Sequence, residues 1–92
     1  MAVLTLEETK QYLRVDSNDE DSFISGLIET GESLCADVAR MEIAELEAHL
    51  PMVRIAVLYA AAYLYEHREQ ADHGELVGTL RSLLFGIRKE VF

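Results

Sequence analysis

The chain has 92 residues, half of them hydrophobic and 27% charged, which is one core's worth of apolar side chains and too few for two domains. Eight basic side chains against seventeen acidic ones give a net charge of −9, and so acidic a surface argues against binding to nucleic-acid phosphates or anionic membranes, where Lys and Arg must displace counterions. A lone Cys35 excludes an internal disulfide and fits a reducing cytoplasm.

The charge is unevenly placed: residues 1–50 hold all of the acidic excess, while acidic and basic residues balance over 51–92. The N-terminus has no basic region followed by an apolar stretch, so no signal peptide is expected. The longest apolar run, Ile55 to Tyr65, falls short of the roughly 20 residues needed to cross a bilayer. A soluble protein is expected, and only one proline and five glycines in an Ala-, Leu- and Glu-rich chain favour an all-α fold.

Thr5 and Glu8 form a capping box that starts a first helix over about 6–13, with Leu6 and Leu13 on one narrow apolar stripe. Residues 14–21 (RVDSNDED) read as a loop, because Ser, Asn and Asp bond to nearby backbone in turns and N-caps. A second helix from about Glu20 to Ala39 carries Phe23, Ile24, Leu27, Ile28, Leu34, Cys35 and Val38 at three- and four-residue steps. Its Gly26 and Gly31 mark either a close approach of another backbone or positions where the cost of glycine is simply tolerated.

Residues 41–50 suit a short helix or turn, and Leu50-Pro51 reads as a boundary with Pro51 at the start of the next helix. That helix, about 51–68, is apolar almost all round and is expected to be the central one of about four. The polar stretch 69–78, with two glycines, reads as a mobile loop before a last helix near 79–85 and a tail over 86–92. The apolar Val91 and Phe92 in that tail suit docking on a neighbouring subunit.

No catalytic constellation stands out. No serine sits in a nucleophile elbow, the glycines fit no phosphate-cradling loop, and His67, Asp72 and His73 are not at metal-binding helical spacing. Asp16, Asp19, Glu20 and Asp21 lie together at a loop and helix start, where capping explains them better than acid–base chemistry or a cation site. Cys35 falls on an apolar stripe and reads as core. No cofactor is expected. Tyr59 and Tyr63 share a helix face while Tyr65 points elsewhere, so these rings either finish a monomer core or present one face to a partner.

Several segments, taken in order, resemble the phage head-tail connector family. They are Leu6-Glu7-Glu8, Tyr12-Leu13-Arg14-Val15-Asp16, the acidic turn Asp19 to Asp21, Ile24, Leu27 and Ile28, then Leu50-Pro51, Ala56, Leu58, Tyr65-Glu66-His67-Arg68-Glu69, and Leu80, Leu83 and Leu84. His67 stands where that family more often has Asn, and Phe85-Gly86-Ile87-Arg88 lacks its proline and tyrosine before the final arginine.

The resemblance implies a structural, non-enzymatic subunit of a homo-oligomeric ring, dodecameric in the virion, assembled in the host cytoplasm. Such a ring sits between the portal and the head-completion or tail proteins, and DNA passes through it without sequence-specific binding. Under that reading Tyr65, Glu66, Arg68, Glu69, Arg81 and Arg88 are candidates for subunit contacts, with Arg68 in an ion pair between subunits. Asp19, Asp21, Glu29 and Glu32 are candidates for an acidic surface facing the DNA channel. The competing reading is a small acidic helical regulator, antitoxin-like, that binds a basic protein.

Overall fold

A computed structural model describes residues 4–46, 49–68 and 72–85. Among these residues the fold is all-helical: α1 (Leu6–Leu13), α2 (Asp21–Ala39), the single-turn α3 (Ile43–Leu46), α4 (Leu50–Glu66) and α5 (His73–Leu83). The first two follow the boundaries that capping and periodicity predict to within a residue.

The Thr5 hydroxyl accepts from the Glu8 N–H while the Glu8 carboxylate accepts from the Thr5 N–H, closing the capping box of α1. Both α1 and α2 end on an arginine in the left-handed conformation, Arg14 at φ 61° and Arg40 at φ 59°. The next residue in each case bonds back into the last turn, Val15 N to Lys10 O at 2.9 Å and Met41 N to Ala36 O at 3.0 Å. Val15 and Met41 then pack against the core, so the Leu13-Arg14-Val15 segment is a helix stop that turns the chain towards α2.

Helices α2 and α4 form the main packed pair and run antiparallel, with α1 and α5 lying against both. The α2 face of Ile24, Ile28, Cys35 and Val38 meets Val53, Ala56, Val57 and Ala60 of α4. Small side chains let the two helices come close, and closest at Gly31. A Cβ there would stand 3.2 Å from the Val57 carbonyl oxygen and 3.4 Å from Ala60 Cβ. A Cβ at Gly26 would meet nothing within 4 Å. The close-approach alternative therefore holds for Gly31 and the tolerance alternative for Gly26.

The central helix begins at Leu50 with Pro51 in its first turn and ends at Glu66, two residues short of the expected Arg68. The last helix departs further from expectation. It starts at His73, not near Thr79, and takes up Gly74 and Gly78, so residues 73–78 of the expected loop are helical. Asp72 caps it by accepting from the Glu75 N–H at 2.9 Å, and Leu76, Leu80 and Leu84 are fully buried along one stripe. Burial of each leucine contributes roughly 1.5–3 kcal/mol, which outweighs about 1 kcal/mol for each helical glycine. The tail over 86–92 lies outside the described residues.

Candidate functional site

Where α2 begins and α4 ends, the antiparallel pairing brings the acidic turn against the Tyr65 to Arg68 segment. Glu20 Oε1 accepts from the Tyr65 hydroxyl at 2.7 Å and Glu20 Oε2 accepts from Arg68 Nη1 at 2.5 Å. The Arg68 guanidinium lies 4.6 Å from the centre of the Tyr65 ring and 5.4 Å from that of Phe23. The two rings are themselves 6.4 Å apart. Hydrogen bonds from Tyr65 first, then Arg68, hold the Glu20 carboxyl below the usual carboxylate range. The same contact raises the Tyr65 hydroxyl, because losing its proton would place two negative charges together.

Two further ion pairs fasten α1. Lys10 Nζ lies 2.7 Å from Asp21 Oδ1 and donates to Asn18 Oδ1 at 2.9 Å, while Arg54 of α4 pairs with Glu8. With the Arg54 guanidinium beside it and the Thr5 N–H donating to it, the Glu8 carboxyl is lowered to about 2. Three cations are thus engaged within the chain, each joining a different pair of helices.

On the other side of α4 the rings of Tyr59 and Tyr63 stack at 6.3 Å, and Tyr63 stacks on His67 at 4.1 Å. The Tyr63 hydroxyl accepts from the Asp72 N–H at 3.1 Å and donates to the Asp72 carbonyl at 3.3 Å, which pins the start of α5 to α4. His67 Nδ1 lies 2.9 Å from the Tyr63 carbonyl, which can only accept. With Tyr12 of α1 and with Glu66 and Glu75, these side chains line a groove of about 220 Å³. Tyr12 is 58% exposed there, a large ring left in water.

The candidate contact residues do not gather on one face. Tyr65 and Arg68 belong to the Glu20 cluster, with the Arg68 ion pair made to Glu20 inside the chain. Glu66 is exposed at the groove, Arg81 is exposed on α5, and Glu69 and Arg88 lie outside the described residues. Of the four carboxylates read as a channel surface, Asp19 and Glu29 are exposed and Asp21 is paired with Lys10. Glu32 is a correction. It is only 5% exposed, because it stands one turn after Ile28 and three residues before Cys35 on the buried face of α2.

The sequence alone explains Glu20 by its place at a helix start and does not reveal its bonds to Tyr65 and Arg68, beside which Phe23 packs. The available signal is the matched three-residue spacing, Glu20 to Phe23 at the start of α2 and Tyr65 to Arg68 at the end of α4.

Among the described residues no group of three or more His, Cys, Asp or Glu is arranged to hold a metal ion. Burial, and then the nearby Glu32, push the Cys35 thiol up to about 12, which makes it a poor nucleophile. No described helix is long and apolar enough to cross a membrane. The Lys10–Asp21, Glu8–Arg54 and Glu20–Arg68 pairs and the Tyr63 and Tyr65 hydroxyl bonds attach one helix to another. Compared with known proteins, residues 3–91 match the family model described as phage gp6-like head-tail connector protein. No curated protein and no solved structure matches.

Proposed function

Because the chain belongs to the phage gp6-like head-tail connector family, a family of structural proteins, we propose that it forms an oligomeric ring that docks below the portal and lets DNA pass during packaging and ejection. The family match over nearly the whole chain is the observation that carries this reading. The fold supports it in two ways.

First, its polar side chains are spent on rigidity. The Glu20–Arg68, Glu8–Arg54 and Lys10–Asp21 pairs lock the helices of one subunit together, as suits a part that must hold its shape in an assembly. Second, the outward face of α2 presents Ser22, Gly26, Glu29, Thr30, Ser33 and Asp37, small or acidic residues with no Lys or Arg among them. A passage wall of this kind repels phosphates and offers no counterion-releasing grip, so DNA slides past it. We place this face, with Asp19, towards the channel.

Subunits of a closed ring meet head to tail, so two different surfaces of the chain must fit each other. The groove side, with Glu66, and the α5 side, with Arg81, are the two surfaces proposed to meet. Sedimentation of the purified chain with and without its portal tests the ring. A portal-bound species of many copies is expected, and a chain that stays monomeric and unbound beside its portal contradicts it.

A further inference from the structure

The aromatic groove between α1, α4 and α5 has a chemistry that a rigid wall does not need. It combines exposed or half-exposed rings, Tyr12 and Tyr59, with two exposed carboxylates, Glu66 and Glu75, which have no ion-pair partner among the described residues. The apolar surface continues along α4 through Ile55, one turn before Tyr59 and 61% exposed, and Met52, at 39%. From Ile55 to Glu66 this stripe is about 16 Å long at 1.5 Å per helical residue. It is acidic at one end and apolar along the rest.

Residues 86–92, beyond the end of the described fold, read Gly-Ile-Arg-Lys-Glu-Val-Phe. They carry three apolar side chains, Ile87, Val91 and Phe92, around the basic pair Arg88-Lys89. Phe85, just before them, is 70% exposed and adds a fourth apolar group. We propose that the groove receives residues 86–92 of a neighbouring copy of this chain, with Arg88 and Lys89 against Glu66 and Glu75 and the apolar side chains over Tyr12, Tyr59 and Ile55. Arg88 and Lys89 outweigh Glu90, so the segment's net side-chain charge is opposite to that of Glu66 and Glu75, and the length suffices, since seven extended residues span about 23 Å.

Geometry favours the neighbour over the chain's own segment. Glu75 lies in the first turn of α5 and Leu84 at its end, about 13 Å further along at 1.5 Å per residue. The described residues therefore end at the end of α5 remote from the groove, and a segment continuing from there would have to double back along the helix to reach its own groove. Head-to-tail packing brings one copy's exit point to the next copy's groove without that reversal. The assignment rests on the ring reading above.

Charge exchange in the full chain tests it, with portal-templated ring formation as the readout and circular dichroism to confirm that each variant folds. Glu66→Lys with Glu75→Lys, and separately Arg88→Glu with Lys89→Glu, should each lower ring yield by about tenfold, as like charges meet across the contact. An equal mixture of the two variants should recover rings, because each groove then finds an opposite charge on its neighbour. Recovery only when all four changes sit in one chain would mean that the segment fills its own groove, and overturns the assignment to a neighbour. Rings from every variant at wild-type yield would overturn the groove assignment while leaving the ring intact. Failure of the wild-type chain to form rings on its portal would remove the ring reading itself.

Discussion

The Tyr65 hydroxyl donates to Glu20 Oε1 at 2.7 Å, joining residues 45 positions apart at the point where α2 starts and α4 ends. This bond, with Arg68 stacked over the Tyr65 ring and bonded to the same carboxylate, gives a physical reason for two segments that look unrelated in the sequence. The acidic turn and the Tyr65 to Arg68 segment are two halves of one clamp.

If the clamp acts as a unit, Tyr65→Phe and Glu20→Gln should each lower the melting temperature. Phenylalanine keeps the ring against Phe23 and Arg68 and removes only the hydroxyl. Combined, the two changes should cost less than the sum of their separate effects, since either one already breaks the shared bond. Thermal unfolding followed by circular dichroism reads this directly, and strictly additive losses would show that the two residues act independently.

Acid should weaken the fold through its held carboxylates. Glu8 has its pKa lowered from the ordinary 4.5 to about 2, chiefly by Arg54, and Glu20 is lowered by Tyr65 and Arg68. Groups depressed in the folded state contribute stability in full above the unfolded value and lose it as pH falls towards the folded value. Stability should therefore decline below about pH 5. The Glu8→Gln variant should be less stable than wild type at neutral pH and converge with it near pH 2. Parallel curves for the two proteins would assign the acid loss to other groups.

The two interior glycines of α2 should respond with opposite signs. Gly26→Ala adds a methyl group in open space and should stabilise the chain by up to about 1 kcal/mol through helix propensity. Gly31→Ala places a Cβ 3.2 Å from the Val57 carbonyl, so the α2–α4 pair must part, at about 1–3 kcal/mol before the propensity gain of about 1 is returned. Chemical denaturation of both variants gives the comparison. Equal stabilisation by both would mean that the helix pair yields without cost.

Passage of DNA tests the acidic wall. Asp19→Lys with Glu29→Lys reverses two exposed charges without touching the core, and should reduce infectious yield or genome ejection. Asp21 and Glu32 are left unchanged, because the first holds Lys10 and the second is buried, where a lysine would put a charge into the α2 face. Wild-type yield from this double variant would take the α2 face away from the channel.

Most of the helical framework was legible in the sequence because it follows local rules. The Thr5–Glu8 box starts α1, the three- and four-residue repeat marks α2, and Pro51 opens α4. The start of α5 was not legible: two glycines and a polar run outweighed the cap at Asp72, whose effect depends on Tyr63 pinning its backbone from another helix. Glu32 was misread for a similar reason. Its charge suggests solvent, and only its register with Ile28 and Cys35 places it inside. The Glu20 clamp was the least legible feature, since the antiparallel pairing that forms it is a tertiary fact that neither segment carries alone.

A cryo-electron microscopy reconstruction of the head–tail junction, made from particles carrying this chain, tests the ring most directly. The expected map shows a closed ring of copies beneath the portal, each contributing the α2–α4 pair, with the outward face of α2 turned to the central passage. A junction whose density below the portal is built without this chain would contradict it.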